Sequence, residues 1–200
     1  VTKSPTIYVV DDDQDVRDSL KILLEFSQYT VQTFESAVKF LATDLQQLDG
    51  CLIVDIRMPD MDGLELQDEL LKRKVELPVI VVTGHGDVPL AVRAMRAGAV
   101  DFLEKPFREE ALLESVERAL QHTPRKPTVK SDEGNARLAA LTDREREVLD
   151  LVIEGHTNKE IGRILDISPR TVDIHRAHVM EKMQARTLAD LVRMSLSHLS

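Results

Sequence analysis

Five short, largely apolar runs, at 6–10, 30–34, 51–55, 79–83 and 101–104, alternate with five stretches of helical periodicity, at 14–26, 36–45, 63–74, 88–97 and 108–121. No other feature of the chain restricts its fold so tightly. The most apolar runs read as strands buried on both faces. Strands that alternate with helices are joined by right-handed crossovers, so they lie parallel, with helices on both sides of the sheet. The expectation is an α/β fold, a doubly wound five-stranded parallel sheet. Pro78 stands just before the fourth run, where a missing N–H costs little, and Gly98 follows the fourth helical stretch as its C-cap.

Two of the runs end in acids. Ile7-Tyr8-Val9-Val10 is followed by Asp11, Asp12 and Asp13, and Cys51-Leu52-Ile53-Val54 by Asp55. Open α/β sheets bind ligands at the carboxyl ends of their strands, so both ends would deliver carboxylates to one pocket. Carboxylates crowded together repel and call for a cation. Oxygen ligands alone select a hard one, Mg²⁺ or Mn²⁺. Asp13 reads instead as the N-cap of the first helix.

The pattern changes after residue 122. Residues 123–135 contain two prolines and one glycine with almost no apolar side chain, which marks a linker. No strand signal follows. Thr142 and Glu145 have the spacing of a capping box, and Gly155 ends the helix they begin, at 143–154. A short helix at 158–165, a turn at Asp166-Ile167-Ser168, a longer helix at 169–183 opened by Pro169, and a last helix at 187–198 complete a small all-α domain. The domains expected are therefore 1–122 and 138–200, joined by 123–137.

The net charge of −9 argues weakly against nucleic acid as a partner, but it is unevenly spread. Residues 1–122 hold 13 Lys+Arg against 23 Asp+Glu, residues 123–135 hold 3 against 2, and residues 136–200 hold 10 against 10. The acidity belongs to the first domain, and a neutral second domain can still carry a basic face. No apolar run approaches the ~20 residues of a membrane span. The first apolar run is too short for a secretory signal and ends in acids. The single cysteine, Cys51, cannot form an internal disulfide and reads as a strand core residue. Together these features point to a reducing cytoplasm, with no membrane partner.

Val9-Val-Asp-Asp-Asp13, Asp55-Ile-Arg-Met-Pro59 with Asp62-Gly63, Thr83-Gly-His-Gly86 and Lys105-Pro-Phe107 together resemble the receiver domain of two-component response regulators, a flavodoxin/CheY-like fold. The fragments fall at the ends of strands one, three, four and five. The resemblance implies that Asp55 accepts a phosphoryl group from a cognate sensor histidine kinase. It implies that Asp12 and Asp55 ligate Mg²⁺ directly, Asp11 through a water, and Arg57 through its backbone carbonyl. Lys105 would neutralise the phosphoryl group and the Thr83 hydroxyl would bind it. Phe102 would be an aromatic switch whose ring turns inward as Thr83 moves. His85 has no catalytic role in this reading. The domain would be no enzyme in the ordinary sense, since it would catalyse only its own Mg²⁺-dependent phosphorylation and dephosphorylation.

Leu141-Thr-Asp-Arg-Glu145, Gly155-His-Thr-Asn-Lys-Glu-Ile161 and Ser168-Pro-Arg-Thr-Val-Asp-Ile-His175 resemble the helix-turn-helix domain of the FixJ/LuxR (NarL/FixJ) family. Ile161, Ile164, Leu165, Ile167, Val172 and Val179 have the spacing to pack two crossing helices, and Gly162 allows their close approach. The second of these helices would enter the major groove. Its candidates are Arg170, Thr171, Asp173, Ile174, His175, Arg176 and Ala177. Thr171, Lys159 and Lys182 would contact phosphates. Asp173 could accept from a cytosine amino group and Arg176 donate to guanine or phosphate. Asp166 stands where a glycine is frequent, and aspartate tolerates a left-handed backbone. Leu188, Leu191, Val192 and Leu196 form a stripe that either packs on its own domain or pairs two such domains.

The whole then implies a phosphorylation-activated transcriptional regulator. It would dimerise through its receiver, by the fourth or the first helix, bind inverted half-sites on double-stranded DNA and act on RNA polymerase. The alternative from another class is a haloacid-dehalogenase-type phosphatase, because Asp11-x-Asp13 mimics its motif. That reading explains neither Asp55 nor the C-terminal helices. A constitutive DNA-binding protein with a degenerate receiver is disfavoured by the intact acidic set.

Overall fold

A computed structural model describes residues 5–84, 88–121 and 136–196. Five parallel strands, β1 (Thr6–Val10), β2 (Thr30–Phe34), β3 (Gly50–Asp55), β4 (Val79–Thr83) and β5 (Asp101–Glu104), form one sheet in the order β2-β1-β3-β4-β5. The helices between and after them are α1 (Gln14–Phe26), α2 (Ala37–Leu41), α3 (Gly63–Lys72), α4 (Val88–Arg96) and α5 (Glu109–Gln121). The C-terminal helices are α6 (Asp143–Ile153), α7 (Asn158–Leu165), α8 (Pro169–Met183) and α9 (Leu188–Leu196). By packing, the described residues divide into two units, 5–84 with 97–121, and 88–96 with 136–196. α4, which the alternation counts with the sheet, falls in the second.

Strand periodicity explains the core of the first unit. Ile7 and Val9, Cys51 and Ile53, and Ile80 and Val82 share one sheet face, where they cluster with Leu20 and Leu24 of α1 and Leu112, Val116 and Ala119 of α5. On the other face Tyr8 meets Phe40 of α2, whose ring also takes the edge of Phe34 at 5.2 Å. β2 lies at the sheet edge, which is why its run is the least apolar of the five.

One helix is shorter than its periodicity. The expected 36–45 stops at Leu41, and a separate 3₁₀ turn covers Leu45–Gln47. The Thr43 hydroxyl donates to the Phe40 carbonyl at 2.7 Å, and Asp44 accepts from the Gln46 N–H. These local bonds compete with helix continuation.

In the second unit the turn between α7 and α8 follows the sequence closely. Asp166 is left-handed (φ 53°, ψ 48°), Ser168 caps α8 by accepting from the Thr171 N–H, and Pro169 is its first residue. Gly162 is required by close approach, since a Cβ there would lie 2.7 Å from the Ile167 carbonyl oxygen. Ile161, Val172 and Val179 are buried as expected, but Ile164 is 54% exposed. α7 has only eight residues and buries just Ile161 and Gly162, so Ile164 stays at the margin of the packing. Leu191 and Val192 of α9 are buried, and the side chain of Leu196 lies outside the description.

Of the expected linker, 123–135 lies outside the described residues, while 136 and 137 already belong to a helical stretch at 136–139. Among the described residues no helix is long and apolar enough to cross a membrane.

Candidate functional site

The sheet register brings the chemistry to one edge. Val10 pairs with Val54, Asp55 with Val82, and Thr83 with Glu104, so the ends of β1, β3, β4 and β5 lie side by side. There the Lys105 ammonium donates to Asp11 Oδ2 and to Asp55 Oδ1, both at 2.7 Å. Asp55 Oδ2 accepts from the Arg57 N–H at 2.6 Å. The backbone N–H of Lys105 donates to the Thr83 carbonyl at 2.7 Å, which ties β5 to β4 at this point, and the Lys105–Pro106 bond is cis. Asp11, Asp55 and Thr83 are buried.

Burial pushes the Asp55 carboxyl above its ordinary range, although Lys105 pulls the other way. Burial also opposes charge on Lys105, but its bonds to Asp11 and Asp55 outweigh that and raise its pKa. One ammonium thus compensates two buried carboxylates.

Gly63 holds the second wall. A Cβ there would stand 2.3 Å from the Asp55 carbonyl oxygen, so only glycine lets α3 start this close. Asp62 and Glu65 fix that start as a capping box, which the sequence reading did not identify. It also missed Arg17, whose Nη1 donates to the Asp11 carbonyl at 2.7 Å, while the Asp13 N–H donates to Asp11 Oδ1 at 2.9 Å. Asp13 caps α1 as expected.

The structure brings together Asp11, Asp55 and Lys105. Asp12 is exposed, and among the described residues no three Asp, Glu, His or Cys side chains are grouped to hold a metal ion. Physically, Lys105 itself draws the two buried carboxylates together. The donor set nevertheless suits a hard divalent cation: three carboxylates in sequence or space against one ammonium leave two negative charges. Phe102 is buried, with its N–H on Asp101 Oδ1. Asp101 is held by Ser115 and by Arg118 at 2.8 Å, a buried tie between β5 and α5. His85 lies outside the described residues.

On α8, Arg170, Asp173, Ile174 and Ala177 are exposed, and Thr171, His175 and Arg176 are half-buried. Ile174 is 51% exposed, an apolar side chain that suits a thymine methyl group. Three of these positions are also engaged within the domain. The Thr171 hydroxyl is engaged with Ser168 at 2.8 Å, and Asp173 and Arg176 are both tied to Asn158 of α7. His175 Nδ1 is buried with no hydrogen-bond partner, so this edge of its ring is turned inward rather than toward a ligand. Lys159 is exposed, as is Arg163 one turn further along α7, which the sequence reading did not select.

Lys182 is also differently engaged. Its ammonium donates to Glu145 Oε2 at 2.6 Å, and Glu145 is the buried member of the Thr142 capping box. The Lys182 bond, with the Thr142 N–H, brings the Glu145 carboxyl down from about 4.5 to about 2. A carboxyl lowered on folding stabilises fully above its unfolded pKa and loses that contribution as pH falls through the folded one. Lys182→Met should therefore lower stability near neutral pH by about 1 kcal/mol, a charged hydrogen bond discounted for a partly exposed lysine. The gap to the wild type should close between about pH 4.5 and about pH 2. Thermal unfolding of the full chain across that range checks it, and a pH-independent gap would contradict it.

Comparison with known proteins follows the same division. Residues 7–117 match the family model described as response regulator receiver domain. Residues 139–195 match that described as bacterial regulatory proteins, luxR family. The chain is 48% identical over 194 residues to transcriptional regulatory protein FixJ of Rhizobium meliloti, covering 96% of this chain and 95% of that protein. It is 41% identical to response regulator protein TodT of Pseudomonas putida, covering 96% and 86%. Among solved structures it resembles full-length FixJ from B. japonicum (44% identity, TM-score 0.57, 98% of each chain). It also resembles the response regulator StyR (42% identity, TM-score 0.58, 97% and 99%). Two family models in series and this identity along nearly the whole chain show one thing: it belongs to the transcriptional response regulators of two-component systems, a CheY-like receiver joined to a LuxR-type DNA-binding domain.

Proposed function

We propose that Asp55 is the phosphoryl acceptor of this regulator, that residues 1–122 form its receiver, 123–137 its linker and 138–200 its DNA-binding domain. The observation that carries the first point is the Lys105 ammonium held between Asp11 and Asp55 at the carboxyl edge of the sheet. A carboxylate oxygen of Asp55 attacks phosphorus, the bond to the histidine nitrogen of the kinase or to the oxygen of a small acyl phosphate breaks, and the leaving group keeps the electron pair. Hydrolysis by water later restores the carboxylate. Asp11, Asp12, Asp55 and the Arg57 carbonyl would hold Mg²⁺ or Mn²⁺. A bound divalent ion supplies charge screening between the carboxylates and the incoming phosphoryl group. Lys105 and the Thr83 hydroxyl bind the transferred group from the opposite side, and Asp11, fixed by Arg17 and Asp13, keeps its carboxylate toward Lys105.

The acyl phosphate draws Lys105 away from Asp11 and lets Thr83 and Phe102 repack. The face of α4 and β5 that would pair two receivers includes Val92, Met95, Arg96 and Ala99, of which Arg96 is exposed and the other three are buried in this structure. Two DNA-binding domains held together gain effective concentration for inverted half-sites about one helical turn apart, without any new base contact. The dimer would act in the cytoplasm with RNA polymerase as its partner. Treatment with acetyl phosphate and Mg²⁺ is expected to double the solution mass and to raise affinity for a selected operator by about 10²-fold or more. Light scattering and fluorescence anisotropy measure the two. An unchanged mass together with unchanged affinity would refute the switch.

A further inference from the structure

Asn158 is the first residue of α7, directly after the Thr157 cap, and its side-chain amide is used at both ends. Nδ2 donates to Asp173 Oδ1, and Oδ1 accepts from Arg176 Nη1 at 2.6 Å. Asp173 and Arg176 are three residues apart on α8 and so share a face of that helix. A carboxylate can only accept and a guanidinium can only donate, so the amide has one permitted orientation between them. The result is an acceptor and a donor clamped side by side on the helix that the LuxR-type fold offers to the major groove. Each keeps free capacity: Asp173 its second oxygen, Arg176 its remaining N–H groups. Thr157 cannot substitute for Asn158, because its hydroxyl and N–H are committed to Glu160. Only Asp173 of the three is fully exposed; Asn158 and Arg176 are half-buried, so the triad is held firmly while its outer edge still faces solvent.

We infer that Asn158 is a positioning residue for sequence reading: it aligns the Arg176 guanidinium and the Asp173 carboxylate on one G·C base pair. Guanine presents two acceptors in the major groove and its paired cytosine an amino donor, the complement of a fixed donor beside a fixed acceptor. Ile174, exposed between them in sequence, would meet an adjoining thymine methyl. The inference rests on α8 being the reading helix.

The test uses the full chain, treated with acetyl phosphate and Mg²⁺. Duplexes are selected by the wild type from a randomised library, and binding to the selected pool and to random-sequence duplex is measured at one salt concentration. Asn158→Ala is expected to weaken the selected duplex about tenfold and to flatten base preference at one G·C position per half-site. Binding to random duplex should stay unchanged, which also reports that the variant folds and keeps its phosphate contacts. In the Asn158→Ala/Arg176→Ala pair the loss should fall well short of the sum of the two single losses, since the first residue acts largely through the second. Additive losses, or equal losses on selected and random duplex, overturn the inference. If the wild type selects no sequence at all, the reading of α8 itself fails and takes the inference with it.

Discussion

Asp55→Asn should abolish labelling by acetyl phosphate and, with it, the rise in mass and operator affinity. The substitution changes little in shape and removes two things. One is the nucleophile, because an amide oxygen does not form a stable phosphoryl adduct. The other is one of the two carboxylates that face Lys105. Asp55 has both oxygens committed, Oδ1 to Lys105 and Oδ2 to the Arg57 N–H. Asparagine can satisfy only one of these as an acceptor, since its NH₂ meets a donor at the other. A stability loss of about 1–2 kcal/mol should accompany the functional loss, the cost of one mismatched buried hydrogen bond. Intact-protein mass after acetyl phosphate, with peptide mapping, gives the answer. One full equivalent on the variant, at Asp11 or Asp12, would remove Asp55 from the mechanism and revive the phosphatase-like reading in which the first strand carries the nucleophile.

That the site could be found in the sequence follows from the parallel sheet. Once strands alternate with helices, every strand's carboxyl end must lie on the same edge, and residues 11, 55, 83 and 105 converge without any contact being known. The strand limits were equally legible, because each apolar run stops at a polar residue; β3 differs only in starting at Gly50. What spacing cannot decide is which of three consecutive acids does what. Asp11 is the one bridged to Lys105, Asp13 is a cap and Asp12 is exposed, a distinction made by contacts across 94 residues. The same blindness applies to Lys182 and Arg176. A basic residue on a recognition-like helix looks free for DNA until Glu145 or Asn158 arrives from another helix. Arg17, Ser115 and Arg118 carry no local signature either, being ordinary polar positions on amphipathic helices. α2 was over-extended for the opposite reason: the periodicity continued, but Thr43 and Asp44 captured the backbone first.

Lys105→Met should have the largest effect on stability of any single change at the site, and an effect on metal binding of opposite sign. Among the described residues Lys105 supplies the one cation bonded to both buried carboxylates, and its own side chain is only about a quarter exposed. Methionine keeps much of the volume and removes the charge. Removing one partner of a buried ion pair leaves the other uncompensated, typically at about 3–5 kcal/mol; partial exposure of the lysine places the expected loss nearer about 2–3 kcal/mol in metal-free buffer. The freed carboxylates are then better ligands. In the wild type a divalent ion must share Asp11 and Asp55 with an ammonium, and in the variant it need not. Mg²⁺ should therefore raise the unfolding temperature of Lys105→Met by more than that of the wild type, because a ligand bound only to the folded state stabilises by its affinity. The phosphorylated state should suffer at the same time, since no side chain then binds the group from the β5 side, and acetyl phosphate should change operator affinity little. Thermal unfolding with and without Mg²⁺, beside operator binding with and without phosphodonor, separates these effects. A variant as stable as the wild type without metal, or one that gains less from Mg²⁺, would show that Lys105 does not compensate the acidic pair and that the site's charge balance lies elsewhere.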